Sequence, residues 1–252
     1  MIDFHSDDFG YNETNDEKLL QYLEDGLLKS VSVLATMVKP DMLARLQALQ
    51  VRKSFAVSLH ANLIEGKSML KPETVPSLVS HHNTFYSLPH FFANLMLGKV
   101  HKEELRDELE HQLAFLIHNG LKVTIIDSHQ HTHALSPVAE TVIALAKKYN
   151  IEHIRTYGDV KTYTLQARVK YGVLRTMAYL SRFSTDDQLA LPSTWEKTRK
   201  MPPLTIMSWE GAGFDIASVR DTALTCVVHP GLGYDTNRSY EKLLPLSFDA
   251  RI

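Results

Sequence analysis

Two adjacent carboxylates and a set of histidines are the residues of this sequence best suited to chemistry. Asp7 and Asp8 lie near the start of the chain, His60 ends an apolar run, and His229 precedes a Pro-Gly pair. Residues 127 to 133 place histidines at three alternate positions. Two neutral imidazoles and one carboxylate can hold a divalent ion that activates water and polarises a carbonyl oxygen. The pattern therefore predicts metal-dependent hydrolysis.

Each of these residues has a predicted role. Asp7 is the predicted base for the attacking water, and His229 is the predicted general acid, since an unperturbed imidazole titrates near neutrality. Adjacent residues of an extended segment point to opposite sides, so both carboxylates reach one site only if the chain turns sharply there. Gly10 permits that turn. The predicted ligands of the ion are Asp8, His60 and His129.

Simpler interpretations exist for each position taken alone. The Asp pair could cap the first helix or line a solvated turn, His60 could be a hydrogen-bonded core histidine, and His229 could be an ordinary loop residue. The three alternate histidines share a face only if their segment is extended. However, every one of these positions lies near or just after the end of a predicted strand, which favours one shared site.

Strands and helices alternate along the chain and would position these residues. The hydrophobic periodicity predicts helices over 13–25, 41–49, 103–119, 137–149 and 163–182. Short apolar runs predict strands over 1–4, 28–37, 55–63, 123–126, 153–156, 204–208 and 224–228. This order indicates a parallel sheet covered on both faces. Because functional residues gather at the carboxyl ends of barrel strands, we predict an α/β, TIM-like barrel of about seven strands in a single domain, 1–252.

The stretch 65–100 interrupts this regular pattern. It contains three prolines and several aromatic residues but no clear helical or strand periodicity. A long irregular insertion inside a compact domain is usually functional. We therefore predict a lid over the bound substrate.

Composition narrows the classes of partner. The 27 Lys and Arg residues are scattered and balanced by 29 Asp and Glu, which argues against a nucleic-acid partner. Cys226 is the only cysteine, as expected in a reducing compartment. No apolar stretch has the length of a membrane span, and the chain has no signal-like start. The sequence thus predicts a cytoplasmic protein without a membrane partner and leaves a homodimer open.

Four ordered motifs resemble a known family. They are "SDDFG" at 6–10, "LHANLIEGKSM" at 59–69, "DSHQHTH" at 127–133 and "HPG" at 229–231. Together with "GLLKSVSVLATM" at 26–37, they resemble the YdjC-like carbohydrate deacetylase family, which includes chitooligosaccharide deacetylases. The resemblance covers most of the chain as far as Gly231.

This resemblance implies a TIM-like barrel that removes the acetyl group from a small N-acetylated sugar or short oligosaccharide. It also implies one divalent metal ion. The donor types, one Asp and two His, suit Mg or Zn, with Mn or Co as alternatives. Asp7 matches the family's base and His229 its general acid. The choice of His129 among the three clustered histidines also comes from the resemblance. The family's metal ligands correspond to Asp8, His60 and His129.

Other polar residues are predicted to contact the sugar, and other functions remain open. The family usually has Asn where His5 stands, and on a strand His5 would share a face with Asp7. A metal-dependent phosphoesterase or amidohydrolase is one alternative, and a non-catalytic sugar- or metal-binding protein is another. The predicted substrate contacts are His5, His131, His133 and Arg155.

Overall fold

Six parallel strands form one sheet in the computed structural model, which describes residues 2–80, 82–155, 169, 172, 173, 176 and 224–228. The strands are β1 (Ile2–Phe9), β2 (Ser30–Val33), β3 (Ala56–Ala61), β4 (Val123–Ser128), β5 (His153–Ile154) and β6 (Leu224–Val228). Their spatial order is β5-β4-β3-β2-β1-β6, and every neighbouring pair is parallel. The predicted parallel α/β fold is therefore confirmed.

Within the described ranges 2–80 and 82–155, five α-helices connect or follow these strands. They are α1 (Glu13–Glu24), α2 (Pro40–Arg52), α3 (Leu88–Met96), α4 (Lys102–His118) and α5 (Val138–Lys148). In α1 the Asn12 side chain accepts a hydrogen bond from the Asn15 N–H and caps the first turn. The apolar stripe of α1 is buried in the core at Leu19, Leu20 and Leu23. Among the described residues, no helix has both the length and the apolar character needed to cross a membrane.

The predicted boundaries differ from the observed ones mainly at two strands. The first strand continues to Phe9 rather than ending at Phe4, because polar side chains of its second half are buried and hydrogen-bonded. The second strand is limited to Ser30–Val33, because a turn follows it. The predicted helix 163–182 falls largely, and the predicted strand 204–208 entirely, outside the described residues. Without them the described sheet is an open row ending at β5 and β6, so the closed seven-stranded barrel is not confirmed.

The insertion 65–100 packs against α4 through a buried carboxylate. Glu108 is fully buried and accepts hydrogen bonds from the backbone N–H groups of Met69 and Leu70, at 3.1 and 3.0 Å. The insertion also contains α3 and two isolated antiparallel bridges, so it is more regular than the sequence suggests. Its role as a lid stays a prediction.

The turn after β1 depends on a close approach and on a buried acid. Gly10 has a φ of +101°, and a Cβ atom there would lie 2.8 to 2.9 Å from Val38 atoms, including its backbone. Only glycine fits this position without displacing the neighbouring chain. The Gly10 N–H donates to Asp16 Oδ1 at 2.7 Å, which ties the turn to α1.

Burial raises the pKa of Asp16 to about 6, despite its hydrogen bond from Gly10. Because the folded-state pKa is raised, its contribution to stability is fully present below the ordinary value of 3.8 and is lost as the pH rises through about 6. We expect Asp16→Asn, which keeps an acceptor for Gly10, to increase the free energy of unfolding near pH 8 by up to about 3 kcal/mol. Urea unfolding near pH 8 and near pH 4 measures this. An equal increase in the free energy of unfolding at both pH values would contradict this account of Asp16.

Candidate metal centre

The carboxyl ends of β1, β3 and β4 bring the predicted ligands together. His60 pairs in register with Asp127 across β3 and β4, and His129 follows β4 directly. Asp8 stands near the end of β1. All three predicted ligands are at least 94% buried. Because the strands are parallel, residues far apart in sequence meet at one edge of the sheet.

The two carboxylates of the Asp pair contact different partners, and the strand is irregular at Asp8. Asp8 has a φ of 64°, in the left-handed region, and the pairing register of β1 shifts between Ser6 and Phe9. The sharp change of direction thus begins at Asp8 itself, two residues earlier than the predicted turn at Gly10. Asp8 reaches His60 and His129, whereas Asp7 faces a separate set of buried groups.

Asp8, His60 and His129 form a donor set that fits a divalent ion. Asp8 Oδ1 lies 3.2 Å from His60 Nε2 and 2.9 Å from His129 Nδ1. Three ligand atoms, one from each residue, lie within 4.8 Å of one another. One carboxylate oxygen and two imidazole nitrogens suit a transition metal and leave coordination positions open.

The other ring nitrogen of each histidine is bonded to a second carboxylate. His60 Nδ1 lies 2.6 Å from Asp127 Oδ1, and His129 Nε2 lies 3.0 Å from Glu65 Oε2. Metal-binding histidines commonly donate their remote N–H to a carboxylate, which fixes the ring and its tautomer. The donor chemistry therefore fits a metal ion better than it fits a pair of ordinary core histidines.

The charges around these ligands also favour a cation. Burial disfavours the charged imidazole of His60, but Asp127, Asp7 and Asp8 outweigh burial and raise its pKa to about 10. Burial alone would raise the pKa of Asp8, yet His129 and His60 hold it well below its ordinary value. The site thus holds excess negative charge that a positive ion would compensate.

Asp7 belongs to a second buried cluster built around Arg155. The guanidinium Nη1 and Nη2 atoms lie 2.8 and 2.6 Å from Asp7 Oδ2 and Oδ1, and Nη2 is also 2.6 Å from Asp127 Oδ2. His5 Nε2 lies 2.9 Å from Asp7 Oδ1. His5, Asp7 and Asp127 could geometrically hold a metal ion as well. However, Arg155 already supplies a cation to both carboxylates, so we interpret this cluster as an ion-pair network.

This network keeps Asp7 ionised. Burial would raise the pKa of Asp7, but Arg155, His60 and His5 outweigh it and hold the pKa well below its usual range. The pKa of Asp127 is lowered for the same reason. Burial alone would raise it, but the opposite effect of Arg155, His60 and His5 is larger.

The predicted substrate contacts occupy different environments. His5, His133 and Arg155 are fully buried, and His131 is partly exposed. His133 Nδ1 lies 2.5 Å from Ser128 Oγ, and its Nε2 lies 2.9 Å from the Arg155 carbonyl oxygen. Burial lowers the pKa of His133 to about 4, so it is neutral. Contact of the four residues with a sugar stays a prediction.

The clustered histidines do not share one face. The segment His129–Ala134 forms a short 3₁₀ turn rather than an extended chain, with left-handed conformations at Gln130 and His131. As a result, His129 lies beside Asp8, whereas His133 points towards Arg155. Of the three clustered histidines, only His129, the one predicted as a ligand, lies beside Asp8 and His60.

Sequence reasoning missed the roles of two carboxylates, Asp127 and Glu65. Asp127 directly precedes the histidine run in the sequence, but its position there does not indicate that its side chain would contact His60 and Arg155. Nothing in the sequence indicates that Glu65 would contact His129, apart from its position five residues after His60. His229 lies outside the described residues, so its part as a general acid is untested.

Comparison with known proteins identifies one family model and relatives that share one name. A family model described as YdjC-like protein matches residues 1–244. Relatives named carbohydrate deacetylase include one from Thermoanaerobacter pseudethanolicus, 28% identical over 148 residues, which are 58% of this chain and 57% of the relative. Another, from Mus musculus, is 32% identical over 152 residues, which are 60% of this chain and 48% of the relative. The matches thus span about half the length of these curated relatives.

A solved structure has a similar fold. It is an Enterococcus faecalis protein provisionally described as a cellobiose-phosphate cleavage protein, with a TM-score of 0.58 and 20% sequence identity. The alignment covers 90% of this chain and 78% of that structure. At this identity the likeness concerns the fold alone.

Proposed function

The chain belongs to the family of YdjC-like proteins, and on that premise we propose that it is a metal-dependent hydrolase that removes the acetyl group from an N-acetylated sugar. The observation that carries the proposal is the buried donor set of Asp8, His60 and His129, next to an ionised Asp7. The name shared by the relatives, carbohydrate deacetylase, supports the substrate class. Short chitooligosaccharides are the predicted members of that class.

One divalent ion would be held by Asp8, His60 and His129. When bound, such an ion polarises the acetyl carbonyl oxygen and lowers the pKa of the attacking water. Magnesium and zinc are the leading candidates, with manganese and cobalt as alternatives. Two imidazole ligands favour zinc over magnesium, which prefers oxygen donors.

Asp7 is assigned the role of base. Its carboxylate remains ionised at neutral pH, so it is ready to accept a proton. Arg155 binds both of its oxygens and thereby limits its orientation. A base with so low a pKa needs a strongly acidified water, which is the chemistry that a bound divalent ion supplies.

A proton donor is needed for the departing amine, and we assign this role to His229. His229 directly follows β6 in the sequence, and Val228 at the end of β6 pairs with Ser6, the residue before Asp7. This pairing supports the assignment because it brings the end of β6 to the edge of the sheet that carries the ligands.

The proposal extends to the architecture. A closed barrel of about seven strands in a single domain needs a further strand between β5 and β6, and the predicted strand 204–208 lies between them in the sequence. The insertion 65–100 would cover the sugar. Its first residue, Glu65, contacts His129, which supports a location at the mouth of the site.

An acetate-release screen tests the proposed function. The metal-stripped protein is incubated with N-acetylated mono- and disaccharides, each with zinc, magnesium, manganese or cobalt added back. We expect acetate and a free amine in equal amounts with at least one sugar, and none without metal. Ion binding without acetate release from any of these sugars would instead favour a non-catalytic binding protein.

A further inference from the structure

Glu65 lies outside the predicted ligand set but contacts one of its members. We propose that Glu65 is a positioning residue that fixes which ring nitrogen of His129 faces the ion. The inference rests on the proposed function in taking Asp8, His60 and His129 as the ligands. Its central observation is that the His129 ring lies between two carboxylates, with Nδ1 2.9 Å from Asp8 Oδ1 and Nε2 3.0 Å from Glu65 Oε2.

Glu65 is held by contacts on both of its carboxylate oxygens. The Tyr11 hydroxyl donates to Glu65 Oε1 at 2.9 Å, and Glu65 Oε2 lies 3.0 Å from His129 Nε2. A neutral imidazole that gives the electron pair of Nδ1 to an ion has its hydrogen on Nε2. Glu65 is placed to accept that hydrogen, and the resulting bond would hold the ring with Nδ1 towards the ion.

The backbone of Glu65 is itself held in place by a buried amide. Asn62 Nδ2 donates to the Glu65 carbonyl oxygen at 2.7 Å, and the Glu65 N–H donates to Asn62 Oδ1 at 3.2 Å. Asn62 is fully buried, and Gln112 of α4 bonds to both its backbone N–H and its carbonyl oxygen. Because the backbone is already fixed, holding His129 restricts only the Glu65 side chain.

Glu65 does not belong to the ligand set itself. Its Oε2 contacts the ring nitrogen remote from Asp8, so it lies on the far side of the imidazole from the predicted ion. Asp127 makes the equivalent bond to His60, but it is fully buried and also paired with Arg155. The Glu65 side chain is 37% exposed, so it can be changed with less damage to the core.

Metal affinity is the measurement that tests this role. We expect Glu65→Ala to weaken the binding of Mn²⁺ or Zn²⁺ by about 10- to 100-fold in calorimetry, the usual effect of losing such a partner. The melting temperature of the metal-free protein should change little. Glu65→Gln keeps a carbonyl acceptor for His129 and should restore most of the affinity. Glu73→Ala, at an exposed carboxylate of the same insertion, is the matched control and should bind like the unaltered protein.

The outcomes separate this inference from the proposed function. Unchanged affinity in Glu65→Ala, or equal losses in the Ala and Gln variants, would overturn the positioning role. Absence of ion binding by the unaltered protein would overturn it as well. Ion binding that depends on Glu65, in a protein that releases no acetate, would support the positioning role and refute deacetylation.

Discussion

Asp7→Asn is expected to lower the rate of acetate release by about 100- to 10,000-fold, the range usual for a lost general base. The amide has nearly the shape of the carboxylate but cannot accept the proton of the attacking water. The predicted ligands are untouched, so the affinity for the ion should change little. Steady-state acetate release together with calorimetric metal binding measures both effects.

The asparagine also weakens the pairing with Arg155, so stability must be followed in parallel. Activity is therefore compared well below the melting temperature of the variant. Asp41→Asn, which changes an exposed acid in the first turn of α2, is the control and should keep full activity. Full activity in a folded Asp7→Asn protein would rule out Asp7 as the base.

Arg155→Met is expected to give the largest loss of stability, about 3 to 5 kcal/mol in the free energy of unfolding. Arg155 is fully buried and lies 2.6 Å from both Asp7 and Asp127. Met fills a similar volume but leaves two buried carboxylates without their cation. Urea unfolding of both proteins at neutral pH measures the difference.

The pH dependence of this loss identifies its cause. The folded-state pKa values of Asp7 and Asp127 are depressed, so the stability they contribute is present above the ordinary aspartate pKa and is lost as the pH falls. The difference between Arg155→Met and the unaltered protein should therefore shrink in acid. Arg45→Met, which removes an exposed pair with Glu17, is the control and should change stability little. If Arg155→Met lowered the free energy of unfolding as little as Arg45→Met does, the buried ion-pair network of Arg155, Asp7 and Asp127 would be contradicted.

Most of the described strands and helices, and the location of Asp8 and His60 at one edge of the sheet, follow from the sequence because they depend on simple periodicities. Apolar runs alternating with amphipathic segments place parallel strands, and parallel strands bring their carboxyl ends to one edge. A polar residue at the end of an apolar run, such as His60, is therefore predicted to lie at the edge formed by the carboxyl ends of the strands. The convergence of Asp8, His60 and His129 needed no knowledge of individual side-chain contacts.

The sequence predicts separate roles for Asp7 and Asp8, but their spacing does not show where the chain changes direction. That change depends on the left-handed backbone of Asp8 and on the shifted register of β1, whereas the sequence indicated a turn at Gly10. The 3₁₀ turn at His129–Ala134 is a similar case, because its conformation is set by local backbone torsions. The resemblance to a family, rather than the spacing, singled out His129.

The carboxylates behind the histidines were missed for a different reason. Asp127 and Glu65 act through contacts with ring nitrogens, and such contacts depend on three-dimensional packing rather than on residue type. His133 and Arg155, two of the predicted substrate contacts, are fully buried and bonded to other protein groups, which their positions in the sequence did not indicate. Their contact with a sugar stays a prediction.

Titration of a divalent ion into the metal-stripped protein, with acetate release as the readout, tests the proposed metal centre most directly. We predict that activity rises with added ion, levels off at one ion per chain, and stays at background in Asp8→Asn. Acetate release by the stripped protein, or a normal titration curve for Asp8→Asn, would contradict a catalytic ion held by Asp8, His60 and His129.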